Sequence, residues 1–182
     1  MCLSLESERL LLRPPGRRDI PAIVPLANDY DVAKNLAKMP HPYSAQDADW
    51  FVANSEEKRA AGTDYTFVIT RKPDGAVMGC IGLHLSNGTF EFGYWLGKPY
   101  WKNGYATEAA ARLVAFAFDD MQADFVWAGW FHDNPRSGNV LAKIGLLPTR
   151  FEPRHCLARG MDIGCNITIL RREAYVVGRR AA

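Results

Sequence analysis

The stretch that decides the fold is Glu91-Phe92-Gly93-Tyr94-Trp95-Leu96-Gly97-Lys98-Pro99-Tyr100-Trp101-Lys102-Asn103-Gly104-Tyr105-Ala106-Thr107-Glu108. Phe90 to Leu96 is rich in aromatic and β-forming residues and reads as a strand. Alternation puts Glu91, Gly93 and Trp95 on one face, opposite Phe90, Phe92, Tyr94 and Leu96. Gly97-Lys98-Pro99 breaks the strand. From Tyr105 the pattern is helical, with Ala106, Ala109, Ala110, Leu113, Val114 and Ala117 three and four apart. Strand, glycine-bearing loop and helix N-terminus together turn free backbone N–H groups and the positive end of a helix dipole toward one point. A phosphate or pyrophosphate is the natural occupant. Gly104 has no Cβ, so an anion can approach the main chain there. The stretch lacks the Gly-Lys-Ser/Thr ending of a Walker loop, and Gly93, Gly97 and Gly104 do not have the G-x-G-x-x-G spacing of a dinucleotide fingerprint.

Working outward, Glu6 to Arg13 reads as a first strand, ended by Pro14-Pro15-Gly16. Asp19 to Asn28 reads as a helix that Pro25 kinks or ends early, and Asp31 to Ala37 as a second short helical piece. Met39 to Tyr43, with two prolines, is irregular. Ser44 and Asp47 give a capping-box signal for a helix through about Ala61, closed by Gly62. Strands follow at Tyr65 to Arg71 and Ala76 to Leu85, joined by Pro73-Asp74-Gly75. Asn87-Gly88 signals a hairpin into the central strand. Beyond the central helix come a strand at Asp124 to Phe131, a helix opened by Asn134-Pro135 and ended by Gly145, and strands at Leu146 to Glu152 and Ile163 to Tyr175. Hairpins around one β–α crossover give an α+β class, a mixed sheet with helices on both faces.

At 182 residues, with no repeat or linker, the chain reads as one domain, 1–182, large enough for a sizeable core. A net charge of +2 argues against nonspecific nucleic-acid binding, which needs a dense basic face. No apolar run approaches the ~20 residues of a membrane span, and the first residues show no signal-peptide h-region. Cys2, Cys80, Cys156 and Cys165 lack C-x-x-C spacing, so free thiols in a cytoplasmic protein are expected.

Trp101-Lys102-Asn103-Gly104-Tyr105-Ala106 resembles the acyl-CoA pyrophosphate loop, R/Q-x-x-G-x-G/A, of the GNAT N-acetyltransferase superfamily. Trp101 stands where Arg or Gln is usual, which leaves most of the phosphate to backbone donors. Gly93-Tyr94-Trp95-Leu96, Tyr100-Trp101 and Gly104-Tyr105-Ala106-Thr107-Glu108-Ala109 look like the RimJ/RimL branch, which acetylates ribosomal-protein N-termini. Asn134-Pro135-Arg136-Ser137, with Val140-Leu141-Ala142-Lys143-Ile144-Gly145-Leu146, resembles that branch's N-x-x-S-x-x-V-L-x-K-x-G-F segment. Ser7-Glu8-Arg9-Leu10-Leu11-Leu12-Arg13 is similar to its T-x-R-L-x-L-R opening.

The resemblance implies a mostly antiparallel sheet, splayed between two strands, with acetyl-CoA wedged in the gap. The Trp101 to Thr107 loop and helix start would hold the pyrophosphate. Backbone N–H groups near Trp95 and Leu96 would polarise the thioester carbonyl. The acceptor would be an amine, either a peptide N-terminus or a small molecule such as a polyamine, an amino acid or an antibiotic. A noncatalytic acyl-CoA-binding module is the alternative from another class. The protein would act as a monomer or homodimer, with no nucleic acid or membrane partner.

Glu91 is the candidate base, acting through water, against the reading that it is an ordinary solvated or cross-strand-paired carboxylate. Ser137 is the candidate for protonating the CoA thiolate, against local bonding in a first helical turn. Asn134 would reach the pantetheine arm or cap its helix, and capping is the safer reading. Lys102 would add charge at the pyrophosphate or stay solvated. Glu108 reads as a helix-dipole partner rather than a catalyst. His41, His84, His132 and His155 show no metal spacing. The acceptor pocket is expected from Met39 to Tyr43, Trp50, Phe51 and the Arg150 to Met161 loop.

Overall fold

The computed structural model describes residues 3–86 and 88–181. Among these residues eight strands form one sheet. The strands are β1 (Leu5–Glu6), β2 (Leu10–Arg13), β3 (Asp64–Arg71), β4 (Val77–Ser86), β5 (Thr89–Leu96), β6 (Phe125–Phe131), β7 (Leu147–Cys156) and β8 (Met161–Arg171). Their order is β1-β2-β3-β4-β5-β6-β8-β7. Every neighbouring pair is antiparallel except β5 and β6, which run parallel. A parallel pair needs a crossover. Here it is α4 (Tyr105–Ala115), prolonged by a π-helical turn over Phe116–Asp120.

The two faces carry different helices. On one, Ala109, Ala110, Leu113 and Val114 of α4 pack on Phe67, Ile69, Phe92 and Leu96 in the main core. On the other, α1 (Ile20–Ala27) and α3 (Ala45–Ala60), with the short α2 (Tyr30–Ala33) between them in sequence, bring Ile23, Ala27 and Ala48 against Val68 and Cys80. The β5 residues divide as alternation predicts. Phe92 and Leu96 are buried in the first core, with Phe90 and Tyr94 packed against it, while Trp95 packs into the second. A third cluster, around Phe131, Cys156, Cys165 and Ile167, closes the far end. Cys80, Cys156 and Cys165 are buried free thiols, and Cys2 lies outside the described residues. No helix among the described residues is long and apolar enough to cross a membrane.

Four local readings change. The Arg150 to Met161 stretch is not a loop beyond a strand ending at Glu152: β7 runs on to Cys156, a short turn follows at Leu157–Arg159, and β8 begins at Met161. The first strand is a hairpin, since the Ser7 N–H bonds back to the Leu10 carbonyl. Pro25 sits inside α1 without ending it at that point. The last strand stops at Arg171, and Arg172–Ala181 is a helix, α6, not strand up to Tyr175. Its Tyr175 ring stacks on Phe118 at 4.7 Å. The Ser44–Asp47 capping box is formed, and α3 ends at Ala60 before Gly62 at φ 70°. Of the Asn87-Gly88 hairpin signal, Asn87 lies outside the described residues, and Gly88 has φ 77°.

Candidate active site

Strands β5 and β6 pair only at Phe90↔Val126 and Glu91↔Trp127, although β5 runs on to Leu96 and β6 to Phe131. Past Glu91 the two strands therefore part and leave a wedge. The Gly97 N–H bonds the Met78 carbonyl on β4. Antiparallel alternation then turns the main-chain groups of Trp95 and Gly93 toward β4, and those of Tyr94 and Leu96 toward the wedge. The donors facing the gap belong to Leu96 and Tyr94. Trp95 contributes its side chain to the opposite core instead. The Leu96 carbonyl is occupied by the Trp101 indole N–H at 2.7 Å, which ties the following loop to the end of the strand.

That loop has the backbone of an anion cradle. Lys102 has φ 64°, Gly104 has φ 79°, and Tyr105 begins α4. Consecutive N–H groups in this geometry converge at a helix N-terminus. A Cβ on Gly104 would be strained by its φ and would meet Arg9 Nη2 at 3.4 Å. Asn103 turns its side chain inward, donating to the Trp101 carbonyl at 2.9 Å, so it braces the loop. Lys102, Gly104, Tyr105, Ala106 and Thr107 line the cleft. Arg136 stands over the Trp101 ring at 6.0 Å and adds positive charge nearby.

The three sequence segments meet in space. Glu108 accepts from the Ser7 hydroxyl at 2.7 Å, the Arg9 N–H at 2.8 Å and Arg9 Nε at 2.7 Å. Arg9 also donates to the Asn103 carbonyl at 3.1 Å and covers the Tyr105 ring at 4.6 Å. Burial pushes the Glu108 carboxyl up, but the bonds from Ser7 and Arg9 outweigh it and hold it below the ordinary range. Glu108 is thus more than a dipole partner. It clamps the β1–β2 hairpin to the first turn of α4 and braces the cradle.

On the α4 face, Asn134 caps α5 (Pro135–Lys143), its Oδ1 accepting from the Ser137 N–H at 3.4 Å. The Ser137 hydroxyl accepts from the Tyr94 phenol at 3.0 Å, so its bonding is not only local. Burial pushes Tyr94 up to about 12, and the Ser137 bond lowers it slightly. Tyr94 therefore stays protonated, and as it donates to Ser137 the serine hydroxyl keeps its own hydrogen for another acceptor in the cleft that it lines.

On the α1–α3 face, Glu91 accepts from Arg154 of β7 at 2.5 Å. Arg154 also lies over the Trp127 ring at 5.3 Å. Burial lowers the Arg154 pKa, but the bond to Glu91 more than restores it. Glu91 is thus a paired carboxylate, its partner on a strand 63 residues away in sequence. Beside it stands His84, its Cα partner on β4, and His84 in turn pairs Asp64 on β3. His84 Nδ1 lies 2.5 Å from Asp64 Oδ2. Sequence reading gave no role to Asp64 or His84, and it placed Arg154 only within the expected Arg150 to Met161 acceptor wall, not as the partner of Glu91.

The wedge and both flanks form one open cleft of about 2280 Å³, lined among others by His84, Glu91, Trp95, Trp101, Gly104 and Ser137. Small-molecule pockets usually hold roughly 300–1,000 Å³, so this one has room for a long cofactor and an acceptor together. Of the expected acceptor walls, Met39, Pro40, Tyr43, Trp50 and Phe51 line it on one side, and Arg150, Glu152, Arg154, His155 and Leu157 on the other.

Residues 9–147 match the family described as the acetyltransferase (GNAT) domain. An uncharacterised N-acetyltransferase of Bacillus subtilis, YoaA, is 28% identical over 149 residues, covering 78% of this chain and 81% of that protein. The microcin C7 self-immunity acetyltransferase MccE, solved with acetyl-CoA and AMP, superposes with TM-score 0.80 at 18% identity, over 91% of this chain and 93% of that one. RimJ of Mycobacterium smegmatis, in complex with CoA-disulfide, gives 0.81 at 20% identity, over 94% and 87%. The spermidine N-acetyltransferase of Vibrio cholerae, with CoA and spermine, gives 0.79 at 16% identity, over 93% and 99%. A parted parallel pair, a cradle of backbone donors and a room-sized cleft fit the thioester and pyrophosphate of such a cosubstrate, and the chain belongs to the GNAT acetyltransferase family, an acyltransferase that moves an acetyl group from acetyl-CoA to an amine.

Proposed function

We propose that the acceptor is the α-amine of a peptide or protein N-terminus, as in the RimJ/RimL branch. The observation that carries this is that the carboxylates of the acceptor side are already engaged. Asp31 bonds Lys34 and Lys98, Asp64 bonds His84, Glu91 bonds Arg154, and Glu152 bonds Arg150. A polycation needs surplus negative charge to hold its several ammonium groups. Three of these carboxylates are matched by a Lys or Arg and Asp64 is held by a histidine ring, so this face offers little surplus negative charge, in a cleft open enough for a chain end. An α-amine, with a pKa of roughly 7.7–8.0 against roughly 10.4 for a lysine, is also partly free base at neutral pH.

In this reading the N–H groups of Lys102 to Thr107 hold the pyrophosphate, and those of Tyr94 and Leu96 stabilise the oxygen that gains charge. Asn134 keeps the first turn of α5 in place. Ser137, oriented by Tyr94, donates a hydrogen bond to the departing sulfur. It does not need to give up its proton, since a thiol's pKa is only about 8.5. Glu91, held by Arg154, orders water and the incoming amine. Taking a proton itself would cost Glu91 its ion pair.

The test is thiol release from acetyl-CoA against a panel of peptides with free N-termini, polyamines, amino acids and aminoglycosides. Mass spectrometry of the product locates the acetyl group. Turnover of peptides with the acetyl on the α-nitrogen supports the reading. Turnover of polyamines or other small amines alone overturns it, and CoA binding without turnover on any amine points to a noncatalytic module.

A further inference from the structure

Asp64, His84 and Glu91 are Cα partners across three adjacent strands, so their side chains rise from the same face in one row. Asp64 is 6% exposed. It accepts from the Thr66 hydroxyl through Oδ1 at 2.5 Å and meets His84 Nδ1 through Oδ2. An ionised carboxylate only accepts, so Nδ1 carries a ring hydrogen, and whenever the ring is neutral Nε2 is a lone pair. Burial pushes the Asp64 carboxyl up, but the His84 and Thr66 bonds more than offset it and keep it ionised below the ordinary range.

The ring lies over two residues without side chains. A Cβ on Gly82 would meet the ring at 3.1 Å, and one on Gly93 would lie 3.7 Å from Nε2. Gly93 follows the last residues at which β5 pairs β6, so the Nε2 lone pair opens where the wedge begins. The charged groups packed around His84 are Asp64 on β3 and Glu91 with its Arg154 on β5 and β7, and Lys58 on α3 acts by charge on Asp64.

We infer that His84 is the general base of the acetyl transfer and that Asp64 is its positioning residue. This rests on the transfer itself, not on the choice of a peptide as acceptor. The N–H bond of the ammonium breaks and its proton goes to Nε2, directly or through one water. The freed lone pair forms the C–N bond to the thioester carbon. The C–S bond then breaks, its electron pair leaves on the thiolate, and the adduct nitrogen gives up its second proton to that thiolate or to water. Asp64 faces the imidazolium through Nδ1–H until the proton passes to the thiolate or to water. An Asp–His pair with only its carboxylate buried can also be no more than a fastening between β3 and β4, and the experiment must separate the two.

The experiment is steady-state thiol release on whichever amine the panel identifies, across a pH series, with His84→Gln, His84→Asn and Asp64→Asn. The His84 side chain is 43% exposed, so the His84 substitutions leave a folded chain; thermal unfolding verifies this, and verifies it separately for Asp64→Asn, whose side chain is buried. His84→Asn can still donate to Asp64, and so keeps a donor to the fastening while removing the base. Either His84 change should lower kcat ~10²–10⁴-fold with the acetyl-CoA KM unchanged. The loss should shrink as pH rises toward the acceptor's own pKa, and imidazole in the medium should restore part of the rate to His84→Ala. Asp64→Asn should lower kcat less and leave the acetyl-CoA KM unchanged. Wild-type turnover by both His84 variants, or a loss that is the same at every pH, would overturn the assignment. So would a loss that shrinks with pH in Glu91→Gln instead. A raised acetyl-CoA KM would place His84 in the cofactor site and equally remove it as the base.

Discussion

At the scale of single residues, Gly104 and Glu91 carry the sharpest consequences. Gly104 combines φ 79° with an open approach to the main chain, and only Arg9 Nη2 stands near its missing Cβ. Gly104→Val should weaken acetyl-CoA binding severely, by an order of magnitude or more, because a β-branched residue both strains the turn and covers the cradle. Calorimetric titration checks the affinity and circular dichroism the fold. Unchanged affinity in a native variant would mean that the pyrophosphate is held elsewhere. Glu91→Gln is the companion test. The amide keeps the size of the side chain but loses the charge that Arg154 pairs. Turnover should fall by roughly tenfold or less, with the same loss at every pH, because the role is positioning; a kinetic pH series with the variant beside wild type reads this directly. A loss of ~10²–10⁴-fold confined to low pH would return the base to Glu91.

At the scale of elements, the sheet keeps its wedge open because β4 holds β5 firmly on the other side. A Cβ on Gly79 would lie 2.1 Å from the Trp95 carbonyl oxygen and 2.8 Å from the Leu96 Cα, both main chain. Gly79→Ala must therefore push β5 away from β4. We expect a loss of several kcal/mol of stability, in the class of overpacked cores, read as a fall in the urea midpoint. A variant with wild-type stability would show that the two strands are not as closely apposed as described. This scale also separates what could be read from the chain alone. The strand, loop and helix of Glu91 to Glu108 have local signals, and the Ser86↔Thr89 hairpin pairs His84 with Glu91 by simple counting. The Asp64–His84 pairing does not follow by counting from the Pro73-Asp74-Gly75 turn. A β-bulge between Ile69 and Thr70 shifts that register by one residue, and such a slip exchanges the faces of every side chain. Arg154 was hidden differently, since its strand is the far edge of the sheet with β8 and β6 between it and β5, and its long side chain reaches Glu91 only by passing over Gly129. The α6 helix was missed because Ile167 to Tyr175 holds no glycine or proline to mark its change from strand.

At the scale of the whole molecule, buried ion pairs couple the fold to pH. Asp19 is 2% exposed and bonds Arg13 at 2.6 and 2.8 Å. Burial pushes its carboxyl up, and Arg13 with the Gly16 N–H more than reverses this, so the net pKa is lowered. Asp64 is lowered in the same way on the other side of the sheet from the main core. A carboxyl whose folded pKa lies below its unfolded value of about 3.9 stabilises the fold above that pH, and the contribution is lost as pH falls through the folded value. Stability should therefore hold flat through neutral pH and decline below about pH 4, and Asp19→Asn should make that decline shallower while lowering the plateau. A chemical denaturation series against pH measures it, and a variant with the wild-type acid slope would remove Asp19 as a contributor. The most direct test of the central claim, that the parted β5–β6 wedge and the Lys102 to Thr107 cradle form one cosubstrate site, is a crystal structure of the protein with CoA. The account predicts the pyrophosphate within hydrogen-bonding distance of the main-chain N–H groups at Gly104 to Ala106, with the pantetheine arm running between Leu96 and Phe131 toward Ser137 on one side and His84 on the other. A pyrophosphate bound away from that loop, or an arm lying outside the wedge, would contradict it.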